Sequence, residues 1–124
     1  NLWISSFFIK RQLSKNIINN NLPLLKNKIS ASFYEQVQKA LQRKDYVSLN
    51  HRIAAFIASY FDVLFAANKV LHPGEKRLVQ YTKLHCKKIP ENFEADITSI
   101  TKEPMKNTLE TLSRLNSNLM KIMK

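Results

Sequence analysis

Glycine occurs only once in this chain of 124 residues, at Gly74. Proteins built from sheets join their strands through turn clusters rich in Gly, Asn and Pro at short, regular spacing, and this chain has no such pattern. Its many Leu, Ile, Lys and Gln residues favour helices throughout. We therefore expect one all-α domain (1–124), an antiparallel bundle of about five to six helices.

The apolar spacing places a long central helix over residues 46–71. One apolar stripe is formed by Leu49, Ile53, Phe56, Ile57, Tyr60, Leu64, Ala67 and Leu71, and a second by Ala54, Ala58, Phe61 and Phe65. Two apolar faces on one helix indicate that it is covered on both sides.

Start and stop signals place the other helices around it. The first is expected over 2–19, ended by an Asn run and Pro23. Ser32 and Glu35 form a capping-box pattern that begins a second helix, running to Lys44. Further helices are expected over 75–88, from about residue 92, and from Pro104 to the C-terminus, with Pro104 in the first turn.

The net charge of +11 is concentrated in two segments. Residues 1–28 carry five basic and no acidic residues, and residues 69–88 carry six basic residues and one acid. If the two segments adjoin in space, they create a positive field suited to a polyanion, a nucleotide or an acidic partner surface. The alternative is a set of solvated helix faces in a lysine-rich protein.

Several classes of protein are disfavoured. Cys86 is the only cysteine, and no His or Cys cluster has zinc spacing, which suits a reducing cytoplasm. No apolar run is long enough for a membrane span, so no membrane association is expected. With one glycine, the chain has neither a Gly-rich phosphate loop nor a nucleophile elbow, so we expect no catalytic residues and no bound metal in it.

His72-Pro73-Gly74-Glu75 has the residue pattern of a type II turn, with proline at the second position and glycine at the third. Such a turn would place Asn68, His72, Lys76 and Arg77 at one end of a helix pair. This cluster is the candidate binding site. The alternative is a helix hairpin with a well-formed corner and a charged, solvated rim.

Asp62 lies within the apolar sequence YFDVLF. An ionised carboxylate is costly to bury without a partner, so Asp62 faces solvent or meets a cation. Arg52, Lys76 and Arg77 are the candidate cations, and a structural ion pair is favoured over a substrate contact. Asn68 has a similar ambiguity, because its amide can cap local backbone or bind a ligand.

Three short stretches resemble the helical C-terminal domain that follows the catalytic domain in a little-characterised group of nucleotidyltransferase-fold proteins. They are residues 64–69 (LFAANK), 72–78 (HPGEKRL) and 86–90 (CKKIP), and residues 41–46 (LQRKDY) are also similar. The resemblance covers about residues 41–100. It implies that the chain is the C-terminal part of a longer protein.

The resemblance further implies an upstream α/β domain that binds nucleotide and Mg²⁺ through a Gly-Ser turn and two aspartates, which are not found in this sequence. The helical domain would contribute to acceptor binding or dimerisation. Lys76 and Arg77 would neutralise phosphate oxygens, and Asn68 and His72 would supply directional hydrogen bonds.

Three functions are therefore carried forward. The first is a non-catalytic accessory domain of a nucleotidyltransferase, for substrate recognition or assembly, in which this chain alone transfers nothing. The second is a stand-alone basic helical module that binds nucleic acid through phosphate contacts. The third is an oligomerisation domain, for instance a homodimer, that docks through its apolar segment 2–9.

Overall fold

The computed structural model describes residues 2–26 and 31–124, and for residues 2–10 it describes the backbone alone. Within this part of the chain there are six α-helices and no strand. The helices are α1 (Leu2–Leu25), α2 (Phe33–Gln42), α3 (Tyr46–Ala67), α4 (Leu78–His85), α5 (Phe93–Lys102) and α6 (Thr108–Lys121). The expected all-α bundle of five to six helices is confirmed.

Helix α3 is central, as its apolar pattern predicts. It packs against both α1 and α2, while α6 packs against α5 and α2. Its aromatic residues form the middle of the core, where the Tyr60 ring stacks at 6.2 Å on Phe93 of α5. The second apolar stripe is covered only from Phe61 onward, because Ala54 and Ala58 are exposed.

The capping signals position the starts of α2 and α3. Ser32 Oγ accepts a hydrogen bond from the Glu35 amide, as the capping-box pattern predicts. At the start of α3, Asp45 accepts from the Ser48 amide. This bond, followed by that from the Arg43 side chain, holds the pKa of Asp45 below its usual range. A compact corner therefore joins α2 to α3.

Several helix ends differ from the sequence-based expectation. Helix α1 continues through Pro23 to Leu25, whose side chain is fully buried in the core. Helix α3 ends at Ala67 instead of residue 71, and α4 and α6 begin at Leu78 and Thr108, later than expected. Left-handed residues other than glycine lie next to three of these ends, at Lys69, Arg77 and Asn107, and two more lie between α2 and α3 (Lys44) and before α5 (Asn92).

An ion pair between a buried Asp96 and a half-exposed Arg114 joins α5 to α6. Asp96 is 2% exposed, and its carboxylate receives bonds of 2.7 to 3.1 Å from the Arg114 guanidinium. Asn92 donates a further bond of 3.0 Å to the same carboxylate. Hydrogen bonding to Asp96 raises the pKa of Arg114. Since removing one partner of a buried pair leaves an unpaired charge, this contact is structural.

Candidate functional site

The candidate site lies where α3 ends, and Asn68 organises it. The Asn68 amide nitrogen donates to the Leu64 carbonyl and to the Lys88 carbonyl, each at 2.9 Å. Its amide oxygen accepts from the Lys88 backbone N–H at 2.8 Å. Both amide hydrogens are therefore used within the chain. Asn68 caps α3 and attaches it to a segment twenty residues further along.

The backbone turns immediately after Asn68. The Lys69 N–H bonds to the Ala66 carbonyl and the Val70 N–H to the Phe65 carbonyl, at 3.1 and 2.9 Å. Together with the left-handed conformation of Lys69 (φ 56°), these two bonds form a Schellman motif. This motif ends the helix four residues before the expected position and leaves Leu71 79% exposed.

The turn at His72–Gly74 has the positive φ that its glycine predicts, since Gly74 has φ of +103°. The Gly74 N–H donates to Nδ1 of His72 at 3.0 Å, so Nδ1 acts as an acceptor. The imidazole ring packs edge-on against Phe65 at 5.2 Å between ring centroids. The direction of the loop is therefore set by backbone conformation and by one side chain together.

Asp62 lies beside a side chain other than the three cations that the sequence suggested. Its Oδ1 lies 3.9 Å from His72 Nε2, and the Asp62 side chain is 44% exposed. Arg52, Lys76 and Arg77 make no ion pair with it. The reason is geometric. The loop after α3 folds back over Phe65 and places His72 beside the face of the helix that carries Asp62.

Lys76 and Arg77 are exposed in the short turn that precedes α4. Neither side chain has an ion-pair or hydrogen-bond partner among the described residues. Arg77 is left-handed (φ 55°) and starts α4, and one helical turn later Tyr81 packs edge-on against Phe65 at 5.7 Å. Because Tyr81 and His72 contact the same ring, both ends of the 72–81 segment are fixed to the end of α3.

The four predicted site residues consequently belong to one region but have different environments. Asn68 is committed to backbone bonds, His72 is about one third exposed, and Lys76 and Arg77 are open to solvent. The basic segment 69–88 is gathered around the end of α3 by two contacts, one between Phe65 and Tyr81 and one between Asn68 and Lys88.

The two basic segments of the sequence also adjoin here. A groove of about 290 Å³ separates α1 from the end of α3; its lining includes Leu13, Ile17 and Asn21 on one side and Asp62, Phe65, Lys69, Val70, Leu71 and His72 on the other. The groove floor is largely apolar, and the exposed Lys69 lies in its lining. Residues 13–21 therefore adjoin residues 69–72, and Lys69 is the basic residue of the two segments that lines the groove.

No group of three or more His, Cys, Asp or Glu residues within 2–26 and 31–124 is arranged to hold a metal ion. Burial raises the pKa of the Cys86 thiol, and Cys86 is a free cysteine in the core. In the same part of the chain, no helix has the length and apolar character needed to cross a membrane.

Sequence reasoning missed a larger, open groove of about 840 Å³ between α2 and α6. Most of its lining residues are polar, and their charges are mixed; they are Tyr34, Glu91, Asn92, Leu109, Glu110, Ser113, Arg114, Ser117, Asn118 and Lys121. Lys26 lies at its edge, 4.6 Å from the centre of the Tyr34 ring. The polar residues Glu110, Arg114, Ser117 and Lys121 recur at helical spacing, and this pattern could have indicated a polar face on α6.

Comparison with protein-family models, with curated proteins and with solved structures finds no significant match for this chain.

Proposed function

We propose that the chain is a non-catalytic helical accessory domain of a cytoplasmic nucleotidyltransferase, serving substrate recognition or assembly. One observation carries the proposal. The three stretches that resemble such domains, 64–69, 72–78 and 86–90, are separate in the sequence but adjoin at the end of α3. Phe65 contacts His72, and Asn68 bonds to the backbone at Lys88.

In this proposal the exposed cations contact the ligand and Asn68 positions them. Lys76 and Arg77 lie in a segment with six basic residues and one acid, and they are free to meet phosphate oxygens. Arg77 would bind in a fork and Lys76 as a point charge. His72, with Nδ1 occupied by the Gly74 N–H, would offer Nε2 as a donor.

An upstream α/β domain would hold Mg²⁺ and complete the nucleotide site, to which Lys76 and Arg77 of this chain would contribute phosphate contacts, and the chain alone would transfer nothing. Reading the coding sequence immediately upstream of Asn1 tests this directly. A Gly-Ser pair followed by Asp-x-Asp, in frame, is the expected result. An upstream stop codon, or an unrelated domain in frame, would refute the accessory-domain proposal. Nucleotidyl transfer by repurified residues 1–124 would also refute it.

The adjacency of the two basic segments favours nucleic-acid binding as a second candidate. Phosphate contacts would supply its affinity, which would fall steeply with salt. Base stacking has little support, because Tyr46 is the one aromatic residue among the large exposed hydrophobic side chains of the described residues. Tight, salt-sensitive binding of a single-stranded oligonucleotide, with no binding of ATP, would favour this candidate.

Assembly through an apolar surface is the third candidate. Leu13 and Leu71, 56% and 79% exposed, flank the groove between α1 and α3. Sedimentation of the purified chain over a range of concentrations would detect a homodimer. The side chains of segment 2–9, which the sequence suggests for docking, lie outside the described residues.

A further inference from the structure

A second basic site lies at the opposite end of α3, beside the corner that joins it to α2. A cleft of about 330 Å³ opens there, and it is lined by Ala31, Gln36, Lys39, Arg43, Ser48 and Arg52. Arg52 precedes Asn68 by sixteen residues, about 24 Å along the helix axis. This cleft is therefore separate from the site at the end of α3.

The cleft is built from two pairs of residues, each spaced four apart. Lys39 and Arg43 follow one face of α2 and its cap, and Ser48 and Arg52 follow one face of α3. Residues four apart on a helix project on the same side, so the two pairs can face a common space. Three cations line the cleft, and no carboxylate does.

Asp45 is the acid that bonds to residues of the cleft, and its oxygens are already occupied. Oδ2 pairs with Arg43 Nε at 3.1 Å, and Oδ1 accepts from the Ser48 backbone N–H at 3.2 Å. Arg43 in turn donates through Nη2 to Ser48 Oγ at 2.9 Å. Asp45 thus orients the Arg43 guanidinium without covering the other two cations.

Many hydrogen-bond donors remain for a ligand. Because Ser48 Oγ accepts from Arg43, its own O–H is free to donate. Lys39 and Arg52 have no side-chain partner among the described residues. Arginine provides a planar fork that matches phosphate, and lysine provides a mobile point charge. Two basic side chains are thus unpaired, and a third is held in place.

We propose that this cleft binds the phosphate group of a small phosphomonoester. A terminal phosphate carries up to two negative charges on three oxygens, which matches three cations converging on one concave space. A nucleic-acid backbone would instead favour an extended row of cations. Counting charge along the sequence does not find the site, because Glu35, Asp45 and Asp62 nearly cancel the basic residues of segment 29–68.

The test is a titration of ¹⁵N-labelled protein with inorganic phosphate, and separately with pyrophosphate, at constant ionic strength. We expect saturable shifts at the backbone amides of Gln36 and Ser48 and at the Arg43 and Arg52 side-chain Nε–H groups. The Lys39→Gln/Arg52→Gln variant should bind roughly tenfold more weakly or worse, since it loses charge-assisted hydrogen bonds. A Lys102→Gln/Lys124→Gln control, equal in charge, should bind as the wild type does.

Equal losses in the two double variants, or shifts that do not saturate, would overturn the proposal. Tighter binding of a single-stranded oligonucleotide at the same resonances would assign the cleft to nucleic acid and overturn the small-ligand reading. Lys76→Gln/Arg77→Gln should leave the shifts of the Gln36, Ser48, Arg43 and Arg52 resonances unchanged, because these resonances report on the cleft beside α2 and not on the site at the end of α3. The single variants Lys39→Gln and Arg52→Gln replace the double variant if it does not fold.

Discussion

Replacing Asn68 with alanine should destabilise the protein, because its amide joins two segments of the fold. The variant loses three hydrogen bonds of 2.8 to 2.9 Å, one to Leu64 and two to Lys88. Each is worth about 0.5 to 1.5 kcal/mol net. Since the two bonds to Lys88 are near the surface, where water replaces part of the loss, we expect a total of about 2 kcal/mol.

The expected change in melting temperature follows from the size of the chain. With an unfolding entropy of about 2.1 cal/mol/K per residue, a loss of about 2 kcal/mol lowers Tm by about 8 °C. Thermal unfolding followed by circular dichroism would measure it. Asn50→Ala is the matched control, because Asn50 makes a single exposed bond within its own helix, to the Tyr46 carbonyl.

A second variant distinguishes the contribution of the amide oxygen of Asn68 from that of its nitrogen. Asn68→Asp keeps an oxygen to accept from the Lys88 N–H but places a carboxylate against two carbonyl oxygens, so it should be at least as destabilising as alanine. If Asn68→Ala melts within about 1 °C of the wild type, as Asn50→Ala should, the three hydrogen bonds of the Asn68 side chain contribute nothing to stability. The ligand-binding role predicted from the sequence would then be preferred for Asn68.

Substitutions at three further positions test the backbone and the core by thermal or denaturant unfolding. Gly74→Ala should lower the free energy of unfolding by about 1 kcal/mol. The backbone φ of +103° is the cause, since no atom lies within 4 Å of the added Cβ. An unchanged unfolding midpoint would contradict the turn geometry. Lys44→Gly should gain about 0.5 kcal/mol or more by relieving a left-handed lysine (φ 54°), whereas Lys44→Ala should not stabilise. Tyr60→Phe should gain about 1 kcal/mol, because the buried Tyr60 hydroxyl has no partner among the described residues, and a loss of similar size would contradict this. Burial, and to a smaller extent the charge of Asp96, raise the pKa of Tyr60 above its unfolded value of 10.0. The free energy of unfolding of the wild type should therefore decrease as the pH rises above that value, and the decrease should be smaller in Tyr60→Phe.

The sequence predicts the helices better than their ends. The start of α2 is predictable because Ser32 and Glu35 carry the capping pattern, and the start of α5 because Phe93, Ile97 and Ile100 share a buried stripe. In both helices the residue types near the start indicate where the helix begins. The apolar pattern of α3 likewise identifies the central helix before any tertiary contact is known.

The errors at the end of α3 and at the start of α4 have a common physical cause. Many helices end at a glycine in the left-handed conformation. Here, however, a left-handed Lys69 follows the end of α3 at Ala67, and a left-handed Arg77 precedes α4. Nothing in a lysine or arginine side chain signals this conformation. It is imposed by contacts that are distant in sequence, such as the bonds between Asn68 and Lys88.

The candidate site was predictable as a region but not in its details. The turn at Gly74 and the density of basic residues locate it in the sequence. The use of both Asn68 amide hydrogens depends on Lys88, and the position of Asp62 beside His72 depends on the path of the loop. These pairings follow from tertiary structure, so residue types alone do not determine them.

Isothermal titration with ATP and Mg²⁺ tests the central claim, that the basic segment around the end of α3 contacts phosphate. The wild type would be compared with Lys76→Gln/Arg77→Gln and with the charge-matched Lys102→Gln/Lys124→Gln, at about 50 mM and about 200 mM salt. We predict that only the first variant binds at least tenfold more weakly, with a shallower salt dependence and an unchanged melting temperature. Absence of ATP binding by the wild type, or equal losses in the two variants, would contradict the account.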